Sequence, residues 1–326
     1  MPGVLEIDTL LGGWERVTAG YLLEGPAPVL IETGSRSSVP VLLGALAEHG
    51  LGPGDLAGVA LTHIHLDHAG GTGDVAAAFP KARIYVHPKG ARHLADPGRL
   101  LASAASVYGD ALSNLFGTMM PTAAERVTAL EDGAEIDLGG GRVLSCAHSP
   151  GHAKHHLALH DNATGLLFVG DAVGARLPDA GVLYPATPPA DFDLALALKS
   201  LARFAERAPA GLALAHYGLL PGDPRAALEE AGEILREWAS VAEHAWRSGA
   251  DVEQALRERF SPQLDGALNP GQRRRLEALN GLHSNAEGLK QWLARARHDS
   301  GDRSAAAGQR RRSRRAKRSP GGGRGA

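Results

Sequence analysis

His63-Ile64-His65-Leu66-Asp67-His68 puts four strong metal ligands into six residues. Imidazole nitrogen and carboxylate oxygen together suit Zn²⁺, Fe or Mn²⁺, and three histidines with an aspartate on one tight turn cannot all converge on one ion. The spacing therefore points to a pair of metals. With 15 His in 326 residues, H-x-H-x-D-H arises by chance in about two such chains per thousand, so composition does not account for it. Four ionisable groups held on a turn without a partner would also be costly. The preceding run, Gly58-Val59-Ala60-Leu61, is apolar, which predicts a buried strand with the ligands on the turn where it ends.

With Ala69-Gly70-Gly71 following it, this turn resembles the signature of the metallo-β-lactamase superfamily. The remaining marks of that family stand downstream in order. Ser149-Pro150-Gly151-His152 is similar to its P-G-H element, Phe168-Val169-Gly170-Asp171 to its strand-end G-D, and Ala213-Leu214-Ala215-His216 to its last strand-end histidine. Upstream, Leu30-Ile31-Glu32-Thr33-Gly34 occupies the place of an apolar strand followed by D-T-G, with Glu32 in place of the aspartate. The resemblance runs from about residue 15 to residue 220. It implies that His63, His65 and His152 hold one metal, that Asp67, His68 and His216 hold the other, and that Asp171 bridges them. Two divalent ions, zinc foremost with Fe or Mn as alternatives, would leave a position for a shared water, lower its pKa and polarise a substrate oxygen. Asp67 is the candidate catalytic proton relay. The longer Glu32 side chain bears on how the metal turn is supported from behind.

Other residues receive weaker assignments. His156, four residues after His152, is a candidate support or substrate contact, as are Arg176, Tyr184 and Tyr217, which follow metal-ligand elements. His148, His155 and His160 are expected on strand surfaces, and His87 and His93 as packing or surface groups. His49, His244, His283 and His298 lie on or beside polar helical stretches and are assigned no role. Cys146, the lone cysteine, excludes an internal disulfide and is expected to be a small buried hydrophobe.

Positioning such a site requires strand ends that meet at one edge. Strands are predicted around Val4-Ile7, Tyr21-Leu23, Val29-Glu32, Val59-Thr62, Ile84-Val86, Glu135-Leu138, Arg142-Ala147, His156-His160, Leu166-Val169 and Leu212-Ala215. Helices are predicted near Val39-His49, which ends at Gly50, from Gly73 to Phe79, and at Phe192-Ala208. The fold class is α/β (α+β): two sheets face to face with helices outside, which is also the αββα sandwich that the resemblance implies. Residues 1–221 are expected to form that unit. The long stretch 88–125 has apolar residues at helical spacing and is expected to be an insertion, a lid or a substrate wall, with Phe116, Met119 and Met120 as candidate pocket residues. Residues 222–298 form a helical C-terminal appendage, with helices predicted at Arg225-Gly249, Asp251-Phe260 and Pro270 to about Arg297.

The segment 299–326 is Arg-, Ser-, Gly- and Ala-rich and is expected to be disordered. It carries nine Lys+Arg against two acids, while the rest carries 25 against 34. An acidic body and a basic tail thus hide inside a formal charge of −2. Neither a leader-like start nor a membrane-length apolar run is read, so a cytoplasmic protein is expected, with no membrane partner. The resemblance implies a dinuclear hydrolase using a metal-bound hydroxide on a small ester, thioester or lactone, in the style of glyoxalase II-like enzymes. A phosphodiesterase or nuclease, for which only the basic tail speaks, is the alternative, and a mononuclear-iron oxidative relative is disfavoured by the presence of both His68 and His216. The expected partner is a small-molecule substrate; nucleic acid is not expected, and a homo-oligomer is left open.

Overall fold

The computed structural model describes residues 3–178 and 181–297. His298 and the basic segment 299–326, for which disorder was expected, lie outside the described residues.

The first sheet has the order β1 (Val4–Asp8), β2 (Ala19–Leu23), β3 (Val29–Ile31), β4 (Gly58–Ala60), β5 (Arg83–Val86) and β6 (Val127–Ala129). Its last four strands run parallel. Between them lie α1 (Val39–Glu48), α2 (Leu66–Ala69), α3 (Thr72–Ala78), α4 (Pro88–Ala95), α5 (Gly98–Tyr108) and α6 (Ala111–Leu115). The second sheet comprises β7 (Glu135–Gly139), β8 (Arg142–His148), β9 (Leu157–Asp161) and β10 (Leu166–Gly170), which pairs in parallel with a later strand. A separate hairpin, β11 (Ala175–Leu177) and β12 (Val182–Tyr184), precedes that strand, β13 (Gly211–Leu214), and its short neighbour β14 (Gly218–Leu219). Helices α7 (Leu194–Glu206), α8 (Pro224–Ser248), α9 (Val252–Ala267) and α10 (Pro270–Asn280) follow, and a helical run over 282–297 closes the described chain.

Alternation along the strands builds the layers. On β2, Tyr21 and Leu23 face the second sheet, where Leu144, Leu159 and Phe168 meet them. Leu22 points the other way, into a cluster with Leu42 and Leu46 of α1 and Val75 of α3. On β10, Phe168 points to the inter-sheet core while Leu167 and Val169 pack outward on Leu201 and Phe204 of α7. The αββα sandwich follows from these two-faced strands. The outer cluster on α7 continues without a break into Leu228, Leu235 and Trp238 of α8, Leu256 of α9 and Leu289. The helical C-terminal region is therefore packed into the second layer.

Several elements differ from the sequence-based expectation. The strands β6, β11, β12 and β14 are two or three residues long, too short to show a period. Helix α9 runs past Phe260 and through Pro262 to Ala267. The helix expected from Pro270 to about Arg297 breaks at Gly281, which has extended backbone; the Asn285 side-chain amide donates to the carbonyls of Asn280 and Gly281 that the break frees. Among the described residues, no helix is long and apolar enough to cross a membrane.

Parallel pairing is what gathers the site. Ile31 is in register with Ala60, and Ala60 with Tyr85, so the carboxyl ends of β3 and β4 deliver Glu32 and the His63 turn to one edge. In the second sheet Gly170 pairs with Leu214, which sets Asp171 beside His216. Ala19 N–H donates to Ala215 O (2.8 Å) and Leu157 N–H to Thr62 O (2.8 Å), and these bonds lock the two sheets together at that edge.

Candidate metal centre

The seven residues singled out as metal ligands meet in two adjoining groups. His63, His65, His152 and Asp171 offer atoms that all lie within 4.8 Å of one another, and so do Asp67, His68 and His216. In the first group His65 Nδ1 stands 3.1 Å from His63 Nε2 and 3.1 Å from His152 Nε2. Asp171 Oδ2 is 3.4 Å from His152 Nε2 and 3.9 Å from His63 Nε2. In the second, Asp67 Oδ2 is 3.2 Å from His216 Nε2 and 3.5 Å from His68 Nε2. Asp171 spans both: Oδ1 lies 3.4 Å from His68 Nε2, and Oδ2 lies 3.6 Å from His216 Nε2. A tetrahedral shell with bonds near 2.0–2.2 Å has ligand-to-ligand edges of about 3.3–3.6 Å. The spacings in the two groups, 3.1–3.9 Å, bracket that range.

Two atoms make the fit to a cation specific. His68 Nε2 and Asp171 Oδ1 are buried without a hydrogen-bond partner, although they face each other. Leaving such groups unsatisfied costs about 1–3 kcal/mol each, and a shared cation would satisfy both. Protonation differs between the groups. Burial, then neighbouring imidazoles, hold His63 well below the ordinary histidine range; burial and His152 hold His65 down at about 4. Those rings offer lone pairs at neutral pH. At His68 and His216 burial acts the same way but is outweighed, by Asp171 and Asp67 in both cases, and the protons are held more tightly than usual. A cation entering there takes the place of protons that the carboxylates attract.

The support behind the ligands is specific too. His152 Nδ1 donates to Ala186 O (3.1 Å) and His216 Nδ1 to Val17 O (3.0 Å), which fixes each ring to present Nε2. His63 Nδ1 bonds Thr62 Oγ1 (3.0 Å), whose hydroxyl donates to Glu32 Oε1, as does the Thr62 N–H (3.2 Å). Glu32 Oε2 reaches to 3.7 Å from His68 Nδ1. The extra methylene of Glu32 thus lets one carboxylate stand behind both groups. Its backbone sits at φ 64°, a left-handed conformation that costs a non-glycine residue about 1–3 kcal/mol. Glu32→Gln is expected to keep the fold and weaken metal affinity about 10- to 100-fold. Competition with a chromophoric chelator measures this, and an unchanged affinity would remove Glu32 from the site.

His156 is a support: its Nε2 accepts from Asp171 N–H (3.3 Å) and its Nδ1 bonds Ser149 Oγ (2.8 Å). Gly170, at φ 49°, has no room for more, since a Cβ there would lie 2.5 Å from Thr62 Oγ1 and 2.7 Å from His156 Nε2. Gly151 is equally constrained, because a Cβ would lie 2.3 Å from Ala197 Cα in α7. The glycines beside His152 and Asp171 are therefore demanded by packing.

Other candidates fall elsewhere. Tyr217, on the turn between β13 and β14, packs under Arg16, 5.8 Å from its ring. Tyr184 is buried edge-on against Trp238, with ring centroids 5.0 Å apart, in the core beneath α8. Arg176 N–H donates to His216 O, so Arg176 flanks the back of that ligand. Neither tyrosine lines the cavity over the metal groups. His155, expected on a strand surface, precedes β9, is 7% exposed, and lines that cavity; its position just after Lys154 on the P-G-H loop was the available signal. His87 caps α4, accepting from Lys89 N–H (3.0 Å), with His148 against its ring. Met119 is buried in the core under the inserted helices, and Met120 is 41% exposed, so neither forms the pocket; Phe116 is buried and lines it. Cys146 is buried, as its apolar strand suggested.

The cavity above the cluster measures about 230 Å³ and reaches His65, Asp67, Asp171 and His216. One wall is α5 of the insertion, another the 188–191 loop, and Asn280 and Ser284 of the C-terminal helices complete it. Tyr108 of α5 was not foreseen: it lines the cavity, and burial, reinforced by Asp67 and Asp171, keeps its hydroxyl protonated.

The family model of the metallo-beta-lactamase superfamily matches residues 12–216. The chain belongs to the metallo-beta-lactamase superfamily, whose members are metal-dependent hydrolases. It is similar to a metallo-beta-lactamase fold-containing protein of Sulfurisphaera tokodaii, 33% identical over 165 residues, which are 50% of this chain and 60% of that protein. An acyl-coenzyme A thioesterase of Homo sapiens is 31% identical over 34% of this chain and 39% of its own length. A hydroxyacylglutathione hydrolase of Synechococcus is 26% identical over 52% of this chain and 53% of its own length. The matched regions thus span between two fifths and three fifths of these relatives. Among solved structures, an archaeal metallo-beta-lactamase superfamily protein from Sulfolobus tokodaii superposes with a TM-score of 0.68 at 25% identity, covering 89% of this chain and 99% of that one.

Proposed function

We propose that the protein is a dinuclear hydrolase, zinc-loaded in the first instance, that opens a small carboxylic ester, thioester or lactone. The carrying observation is Asp171, which reaches both groups: Oδ1 lies 3.4 Å from His68, and Oδ2 lies 3.4 Å from His152 and 3.6 Å from His216. His63, His65, His152 and Asp171 would hold one ion, and Asp67, His68, His216 and Asp171 the other. When bound, the two ions would supply an activated water and a Lewis acid for the carbonyl oxygen. The protein's own residues do the rest. Asp67 lies at the cavity floor and, despite its burial, is held ionised by His68 and His216; its place there makes it the carboxylate that would take the proton of the attacking water. Water oxygen adds to the carbonyl carbon, the C–S or C–O bond breaks, and the proton passes from Asp67 to the departing thiolate or alkoxide. His156 holds the Asp171 backbone through this cycle. The related thioesterase and hydroxyacylglutathione hydrolase favour acyl transfer to water over phosphodiester cleavage, as does the acidic charge of residues 1–298.

The test is elemental analysis of freshly purified protein beside hydrolysis of S-lactoylglutathione, a lactone and bis-p-nitrophenyl phosphate. Close to two ions per chain with thioester or lactone turnover is the expected result. One iron without hydrolysis, or turnover of the phosphodiester alone, would overturn the reading.

A further inference from the structure

Helix α5 has no buried residue, although its sequence carries an apolar stripe. Leu100, Ala104, Val107 and Tyr108 stand at i, i+4, i+7 and i+8, one face of a helix, and all four line the cavity over the metal groups. Val107 is 42% exposed. Leu100, Ala104 and Tyr108 are partly buried against the core beneath them, and the part of the face that stays open to the cavity suits an apolar occupant. Phe116 faces the same space and meets Tyr108 edge-on, with ring centroids 4.8 Å apart. The space is continuous with His65, Asp67 and Asp171, so the occupant is part of whatever reacts there. The stripe from Leu100 to Tyr108 lies within one helix and rises about 12 Å at about 1.5 Å per residue, which is the reach of a medium-length extended acyl chain.

We infer that the cavity takes a straight acyl chain of about six to eight carbons, laid along the α5 stripe with its carbonyl carbon at the metal groups. This rests on the hydrolase reading and narrows its substrate to medium-chain acyl esters and thioesters. Tyr108 sits where the chain meets the ionised cluster, and its protonated hydroxyl is available to donate to the ester. Each methylene buried on the stripe strengthens transition-state binding by about fourfold, the equivalent of one buried CH₂.

The experiment uses the zinc-loaded full chain and p-nitrophenyl esters from acetyl to dodecanoyl. The value of kcat/KM is expected to rise to a maximum at hexanoyl to octanoyl, at least about 250-fold above acetyl for the four methylenes that hexanoyl adds, and to fall for dodecanoyl. Ala104→Trp narrows the space and should move the maximum at least two carbons shorter. Independently of turnover, calorimetry should register octanoate binding at least tenfold tighter than acetate, with that preference lost in Ala104→Trp. A flat chain-length series, or octanoate binding no tighter than acetate, overturns the acyl-chain assignment while leaving the hydrolase reading in place. Absence of turnover at every length overturns the hydrolase reading and this assignment with it.

Discussion

Asp171→Asn is expected to reduce the metal content from about two ions per chain to one or fewer and to cut hydrolysis at least about a thousandfold. The replacement keeps the side chain's size and its backbone bond to His156, so what changes is chemical. The carboxylate faces His63, His68, His152 and His216 at 3.4–3.9 Å, and His68, His216 and His152 outweigh burial to hold it ionised far below the usual carboxylate range. An amide brings no charge to the midpoint of the two groups. It also turns an NH₂ donor toward nitrogens that must keep their lone pairs free. Elemental analysis and kcat/KM on one preparation check both expectations together. Two retained ions with unaltered turnover would end the shared-ligand account of Asp171.

Asn285→Ala should lower stability by about 2–4 kcal/mol, because it strips the partners from buried groups at both ends of one side chain. Asn285 is fully buried; its Oδ1 accepts from Thr187 N–H (2.6 Å) and the Thr187 hydroxyl (2.8 Å), and its amide donates to Asn280 O (3.1 Å) and Gly281 O (3.2 Å). The segment it holds carries Ala186 O, the acceptor for His152 Nδ1 (3.1 Å). Arg295 secures the same segment through the carbonyls of Ala190 and Phe192. The loss should therefore reach the first metal group more than the second. Thermal melting, with the stepwise metal affinities, measures it. An unchanged melting temperature with both affinities intact would show that the C-terminal helices do not steady the site.

What could be read in advance divides along physical lines. The turn from His63 to His68 was visible because few side chains bind divalent ions and its spacing is rare by chance, whereas His152, Asp171 and His216 were assigned through the family resemblance. The layer order was expected from the mixed order of strands and helices and from the resemblance, and in the structure Leu22 and Leu167 face outward while their strand neighbours Tyr21 and Phe168 face the inter-sheet core. The position of Tyr217 was not visible, since following a ligand in sequence does not fix which side of the backbone a ring takes. His155 was assigned to a strand that begins two residues later, so its burial over the cavity was missed. Helix α5 was foreseen as helical, yet an apolar stripe that covers a cavity is written in the same letters as one that packs on a core. Asn285 gave no signal, because a polar residue inside a helix usually faces water.

The site's ligands are drawn from His63 through His216, and the outermost of them leans on Val17. Cations held at such a place would join distant stretches of the chain much as covalent staples do. Unlike a disulfide, such a site is not assembled in the unfolded chain, so the ions would act by adding their binding free energy to that of folding. With a single cysteine the sequence has no internal disulfide. Coordination bonds would then be the only cross-links available, and stripping the ions would release several loops at once.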